Sequence, residues 1–128
     1  YIDDYAHHPE EVKATLLAIR NLYPDRKITV VFQPHLFSRT RDFADEFAQS
    51  LSLADELILL EIYPAREKPI NGIDSKMLLS KVQLVSKRLM TKEALLDDLK
   101  INHRSVLVTL GAGDIDQLVE PIKSIYQE

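Results

Sequence analysis

Three runs in this chain are apolar at consecutive positions rather than at every second one. They are Ile28-Thr-Val-Val-Phe32, Glu56-Leu-Ile-Leu-Leu-Glu-Ile62 and Ser105-Val-Leu-Val-Thr-Leu110. Successive side chains of a strand point to opposite faces. A strand apolar throughout therefore needs cover on both sides, the condition of a parallel sheet between helix layers. Helical periods fill the intervals. His8-Pro9-Glu10-Glu11 reads as a helix start, with Pro in the first turn and acids at the positive end. Val12, Leu16, Ile19 and Tyr23 continue one buried face until Tyr23-Pro24-Asp25. Phe43, Phe47 and Leu51, flanked by Ala44 and Ala48, predict a second such face. Asp74 is placed to cap a short helix carrying Met77 and Leu78, and Val82-Gln-Leu-Val85 reads as a short strand. Thr91 is placed to start a helix with Ala94, Leu95 and Leu99. The last helix carries Ile115, Leu118, Val119 and Ile122, with a bend or early break expected at Pro121. Strands alternating with helices predict a Rossmann-like α/β fold, a mostly parallel sheet flanked by helices on both faces. At 128 residues the chain is expected to form a single domain, 1–128.

Composition narrows the function. The net charge of −4 argues against a general nucleic-acid surface. The absence of cysteine excludes disulfides and thiolate metal sites and fits a cytoplasmic protein. No apolar run reaches transmembrane length, so no membrane partner is expected. The chain begins at Tyr1 and goes straight into a polar motif, which reads as a piece of a longer protein.

That motif, Tyr1-Ile-Asp-Asp-Tyr-Ala-His-His-Pro9, gathers carboxylates, phenols and imidazoles where a strand hands over to a helix. Burying such groups together is costly unless each finds a partner. Phe32-Gln-Pro-His-Leu-Phe-Ser-Arg-Thr-Arg41 is a second polar junction, the loop 63–72 a third and Gly111-Ala-Gly-Asp114 a fourth. In open parallel sheets ligands bind beyond the carboxyl ends of the strands, so the four are expected to converge. Arg39, beside a helix start with His35 and Ser38, suits a carboxylate or phosphate. Arg41 reads as a solvated neighbour of Asp45. His7 and His8 are adjacent in sequence and expected to project apart, so no metal site is expected of them, although a metal-dependent hydrolase built on the pair is the competing enzyme class. Gly111-Ala-Gly-Asp114 lacks the third glycine of a dinucleotide loop, and Asp114 is expected to occupy the helix-start amides that a phosphate would need. A tight turn there would let a substrate or neighbouring domain approach the backbone. No Walker loop is present.

Asp3-Asp4-Tyr5-Ala6-His7-His8-Pro9, Phe32-Gln33-Pro34-His35 with Ser38-Arg39-Thr40, Glu61-Ile62-Tyr63-Pro64-Ala65-Arg66-Glu67 and Leu110-Gly-Ala-Gly-Asp-Ile115 together resemble the C-terminal domain of the Mur ligases, along the whole chain and in order. Phe-Gln-Pro-His and Tyr-Pro-Ala resemble the L-alanine-adding branch. The murein-peptide-recycling ligases share His-His-Pro but not Phe-Gln-Pro-His, and a stand-alone Rossmann-like binding module is the non-enzymatic alternative. The resemblance implies the third domain of a three-domain ligase, inactive when isolated. In such an enzyme ATP activates the carboxylate of UDP-N-acetylmuramate as an acyl phosphate, L-alanine attacks it, and the first amide of the peptidoglycan stem forms. ATP and Mg2+ would be held mainly by a central domain, and this domain would close over it. By the same resemblance Asp4 matches the acidic residue at the ATP ribose and Tyr5 the residue beside adenine. His7 and Arg39 match residues facing the reacting carboxylate and the incoming amino acid, and His35 borders that pocket. Leu36 stands where some members carry a second Arg, which puts more of the anion binding on Arg39.

Overall fold

The computed structural model describes residues 1–127. It holds five strands, β1 (Ile2–Asp4), β2 (Ile28–Phe32), β3 (Glu56–Leu59), β4 (Lys87–Leu89) and β5 (Val106–Leu110), all parallel, in the order β1-β5-β2-β3-β4. The helices are α1 (Pro9–Leu22), α2 (Phe37–Asp42), α3 (Ala44–Leu51), α4 (Ser75–Lys81), α5 (Lys92–Ile101) and α6 (Val119–Tyr126), the last preceded by a 3-10 turn, Asp114–Leu118. No described helix is long and apolar enough to cross a membrane.

The apolar strand runs divide by parity between two cores. Val30, Phe32, Leu57, Leu59, Val106, Val108 and Leu110 pack with α1, α3 and α4, whereas Val31, Ile58, Leu60 and Leu107 pack with α5, the 3-10 turn and α6. Handedness explains the division. The connections β1→β2, β2→β3 and β3→β4 all advance in one direction across the sheet, and β4→β5 returns. Right-handed crossovers in opposite directions put their helices on opposite faces.

Local boundaries depart from the periodic reading in four places. Phe43 is not on a buried face but at the junction of α2 and α3, 43 % exposed; the buried face of α3 starts at Ala44. Val82–Val85 is not a strand, and Val85 is fully exposed. The fourth strand is the charged segment Lys87–Leu89, paired only with β3 at the sheet edge, where one side of each residue meets water. β3 ends at Leu59, before the expected Ile62. The last helix breaks at Leu118, ahead of Pro121, so the proline sits in the first turn of α6, where its missing N–H leaves no bond unmade. The two expected caps form: Asp74 accepts from Met77 N at 2.8 Å and Thr91 from Ala94 N at 3.1 Å.

A buried ion network closes the opposite, amino-terminal end of the sheet. Glu56, 3 % exposed, accepts from Thr29 Oγ1 at 2.8 Å and from Arg104 Nε at 3.2 Å, and Arg104 also pairs with Asp98. Burial pushes the Glu56 carboxyl up, but the bonds from Arg104 and Thr29 outweigh it and hold the group below its ordinary value.

Candidate functional site

Strand register sets the geometry of the site. Asp4 pairs with Leu110, Leu110 with Phe32, Phe32 with Leu59, and Leu59 with Leu89. The last residues of all five strands thus lie in one row, and each following loop leaves from the same edge. The four polar junctions converge as the alternating pattern requires.

In the first loop Asp4 Oδ2 accepts from Ala6 N and Thr15 Oγ1, both at 3.1 Å, an Asx turn tied to α1. The Tyr5 ring is 69 % exposed. His7 Nδ1 lies 3.0 Å from the Tyr5 carbonyl, a contact in which Nδ1 is the donor and which leaves Nε2 uncommitted. Contrary to the expectation from adjacency, His7 and His8 do not project apart; their ring centroids are 4.6 Å apart. Together with Glu11 they offer ligand atoms all within 4.8 Å of one another. The cluster is nonetheless built as a helix cap. Glu11 Oε1 accepts from His7 N at 3.2 Å and His8 N at 3.1 Å, bonds that hold its carboxyl below the ordinary value. The positive end of α1 also opposes a cation there.

The second loop brings His35 and Arg39 against the first. The rings of His7 and His35 are 6.0 Å apart, and Tyr63 from the third loop meets His35 edge-on at 5.5 Å. Burial lowers the His35 pKa and the neighbouring Arg39 charge lowers it further, with the Glu67 carboxylate opposing them, so the neutral form of His35 is favoured. Arg39 Nη1 and His35 Nδ1 are buried with no partner among the described residues. Buried polar atoms are almost always bonded, and both of these exceptions lie in the second loop. The amide at the start of α2 is occupied: Glu67 accepts from Ser38 N at 3.1 Å and from the Ser38 hydroxyl as well. Arg41 is exposed and pairs with Asp42 at 2.8 Å, not with Asp45, which pairs with Lys81.

The fourth loop serves the protein itself. A Cβ on Gly113 would lie 2.6 Å from Tyr63 Cγ and 2.8 Å from Gln33 Oε1, and one on Gly111 3.1 Å from the Gln33 carbonyl. Within this chain the close approach is by Gln33 and Tyr63. Asp114 does not cap the following turn. It accepts from Gln33 Nε2 at 2.6 Å and pairs with Lys92, while Gln33 Oε1 takes Ile115 N at 2.9 Å. Gln33 and Glu67 stood in the quoted motifs without a role of their own, and Lys92 stood outside them. Gln33 alone carried a signal, as a polar residue directly after a fully apolar strand.

Residues 1–114 match the family model described as Mur ligase, glutamate ligase domain. The chain belongs to the Mur ligase family. It is 55 % identical over its whole length to a UDP-N-acetylmuramate–L-alanine ligase of Cytophaga hutchinsonii and 56 % identical over 97 % of its length to the enzyme of that name from Parabacteroides distasonis. It spans only 28 % and 27 % of those relatives. Among solved structures, a UDP-N-acetylmuramate-alanine ligase of Thermotoga maritima superposes with a TM-score of 0.68 at 28 % identity, covering 97 % of this chain and 26 % of the other. A murein peptide ligase of Psychrobacter arcticus shares the fold, with a TM-score of 0.71 at 18 % identity over 95 % of this chain and 26 % of its own.

Proposed function

We propose that this chain is the C-terminal domain of an ATP-dependent, cytoplasmic ligase that joins L-alanine to UDP-N-acetylmuramate in peptidoglycan synthesis. The identity of 55 % along the full chain to a protein of that name supports the substrate. The observation that carries the residue roles is the orphaned, buried pair of Arg39 Nη1 and His35 Nδ1 beside His7. Residues 1–128 would be one domain, and two further domains would hold the UDP-sugar, the ATP phosphates and Mg2+.

In this reading the Arg39 guanidinium holds the L-alanine carboxylate through a fork of donors. A neutral His35 beside it adds no second positive charge and leaves Arg39 as the cation of the pocket. His7, fixed by the Tyr5 carbonyl, turns Nε2 into an acceptor able to take a hydrogen from the amine. Positioning the amine against an activated acyl group is the main contribution of this domain. ATP supplies the activation, forming the acyl phosphate. The residues suit its nucleoside end: Asp4 commits only Oδ2 in its bonds to Ala6 and Thr15, and the exposed Tyr5 ring offers a stacking face. Mg2+ favours several oxygen ligands, which the His7–His8–Glu11 cap does not provide.

Arg39→Ala in the full-length protein should reduce amide formation by about thirtyfold or more, since truncating one partner of a desolvated charge pair costs on the order of 2–5 kcal/mol. Arg39→Lys should rescue only part, because a point charge lacks the planar fork. Normal turnover and L-alanine KM in both variants would remove Arg39 from the site.

A further inference from the structure

We propose that Glu67 is a positioning residue for the amino-acid pocket: it sets the Arg39 helix in place from the third loop. The inference rests on the reading above that Arg39 holds the carboxylate of L-alanine.

Helix α2 has six residues and no side-chain cap of its own, so its orientation must be imposed from outside. The third loop imposes it at four points. Leu36 N donates to the Tyr63 carbonyl and Tyr63 N to the Pro34 carbonyl, each at 2.8 Å. Glu67 adds Oε1 to Ser38 N at 3.1 Å and Oε2 to the Ser38 hydroxyl. Ser38 directly precedes Arg39, so the carboxylate fixes the turn from which the guanidinium projects. The Ser38 bonds hold the Glu67 carboxyl below its ordinary value, and it stays ionised through the neutral range.

Backbone strain lies at the same junction. Among the described residues, Leu36 and Ala65 alone have positive φ without being glycine, at 74° and 53°. Leu36 opens α2, and Ala65 lies two residues before Glu67. Such conformations persist only where their surroundings over-determine them, and they gather at functional sites. The bonds at Tyr63 and Glu67 supply that over-determination. Glu67 itself bonds neither Arg39 nor any atom of the proposed reaction centre; its charge is felt at His35, but its bonds act through Ser38.

The test is steady-state kinetics of the full-length ligase carrying Glu67→Ala, Glu67→Gln, Arg39→Ala and the double change. Glu67→Ala should raise the L-alanine KM or lower kcat/KM for L-alanine by about tenfold to a hundredfold, the scale of a 1 Å misplacement. The KM for UDP-N-acetylmuramate should stay unchanged. Glu67→Gln keeps an acceptor for the Ser38 amide and should recover most of the loss. In the Arg39→Ala background, Glu67→Ala should add nothing, because no guanidinium remains to be positioned. Additive losses, or a normal L-alanine dependence in Glu67→Ala, would overturn the proposal. If Arg39→Ala itself behaves as the unaltered enzyme, it is the Arg39 assignment that fails. Should Glu67→Ala not fold, Ser38→Ala, which removes only the hydroxyl, should still raise the L-alanine KM, and no change there would overturn the proposal.

Discussion

Removing the Glu56 carboxylate should cost this fold about 3 kcal/mol. Glu56 is 3 % exposed and is the common partner of Thr29 Oγ1 at 2.8 Å and Arg104 Nε at 3.2 Å. Glu56→Ala leaves that hydroxyl without its acceptor and Arg104, 9 % exposed, without one of its carboxylates. Breaking a buried pair by removing one partner costs about 3–5 kcal/mol. The lower end applies because Arg104 keeps Asp98 and the Asn102 carbonyl, the latter at 2.7 Å. Glu56→Gln retains an acceptor for Thr29 and should lose about half as much. Urea unfolding at pH 7 measures both, and a fall in melting temperature of roughly 10 °C should accompany the alanine change. The pH dependence supplies an independent sign. The folded Glu56 pKa is depressed below 4.5, so its stabilisation is fully present above 4.5 and fades as pH falls through the folded value. The gap between the unaltered chain and Glu56→Ala should therefore narrow in acid. A loss under about 1 kcal/mol at pH 7, well below the cost of a broken buried pair, or a gap that widens in acid, would refute the reasoning.

Asp4→Ala in the full-length ligase should weaken ATP use about ten- to hundredfold, the equivalent of a charge-accepted hydrogen bond, and lower thermal stability by loosening the Ala6 and Thr15 bonds. Nucleotide titration and a melt separate the two effects. Gly113→Ala drives a Cβ to 2.6 Å from Tyr63 Cγ and should destabilise by about 1–3 kcal/mol. The displaced Tyr63 borders His35, so amide formation should fall with stability, as paired melting and turnover measurements would reveal.

The fold was legible wherever burial on both faces forces a continuous apolar run. Ile28–Phe32 has the bounds read from the sequence, and Val106–Leu110 begins only one residue later than the run that predicted it. Legibility failed at the sheet edge. Lys87-Arg88-Leu89 is a strand without apolar pattern because only β3 pairs with it, while Val82-Gln-Leu-Val85 has the pattern without a sheet to join. The loops carrying Asp4, His7, His35 and Arg39 leave one row of strand ends, a consequence of the parallel topology that alternation predicts. The long-range bonds that brace the site and the sheet were not legible. Gln33 reaches Asp114, Glu67 reaches Ser38 and Arg104 reaches Glu56 across 81, 29 and 48 positions of sequence, and no local spacing records such pairs. Orphaned atoms on His35 and Arg39 likewise exist only once the chain has folded around them.

Acceptor choice distinguishes the proposed reaction from that of a peptide-recycling ligase. The full-length protein carrying this chain is given ATP, Mg2+ and UDP-N-acetylmuramate with either L-alanine or a preformed stem peptide, and amide product is measured by mass spectrometry. The L-alanine adduct should form, with none of the peptide adduct and no ATP turnover by residues 1–128 alone. Ligation of the peptide in place of L-alanine, or magnesium-dependent ATP hydrolysis by the purified chain, would contradict the proposed function.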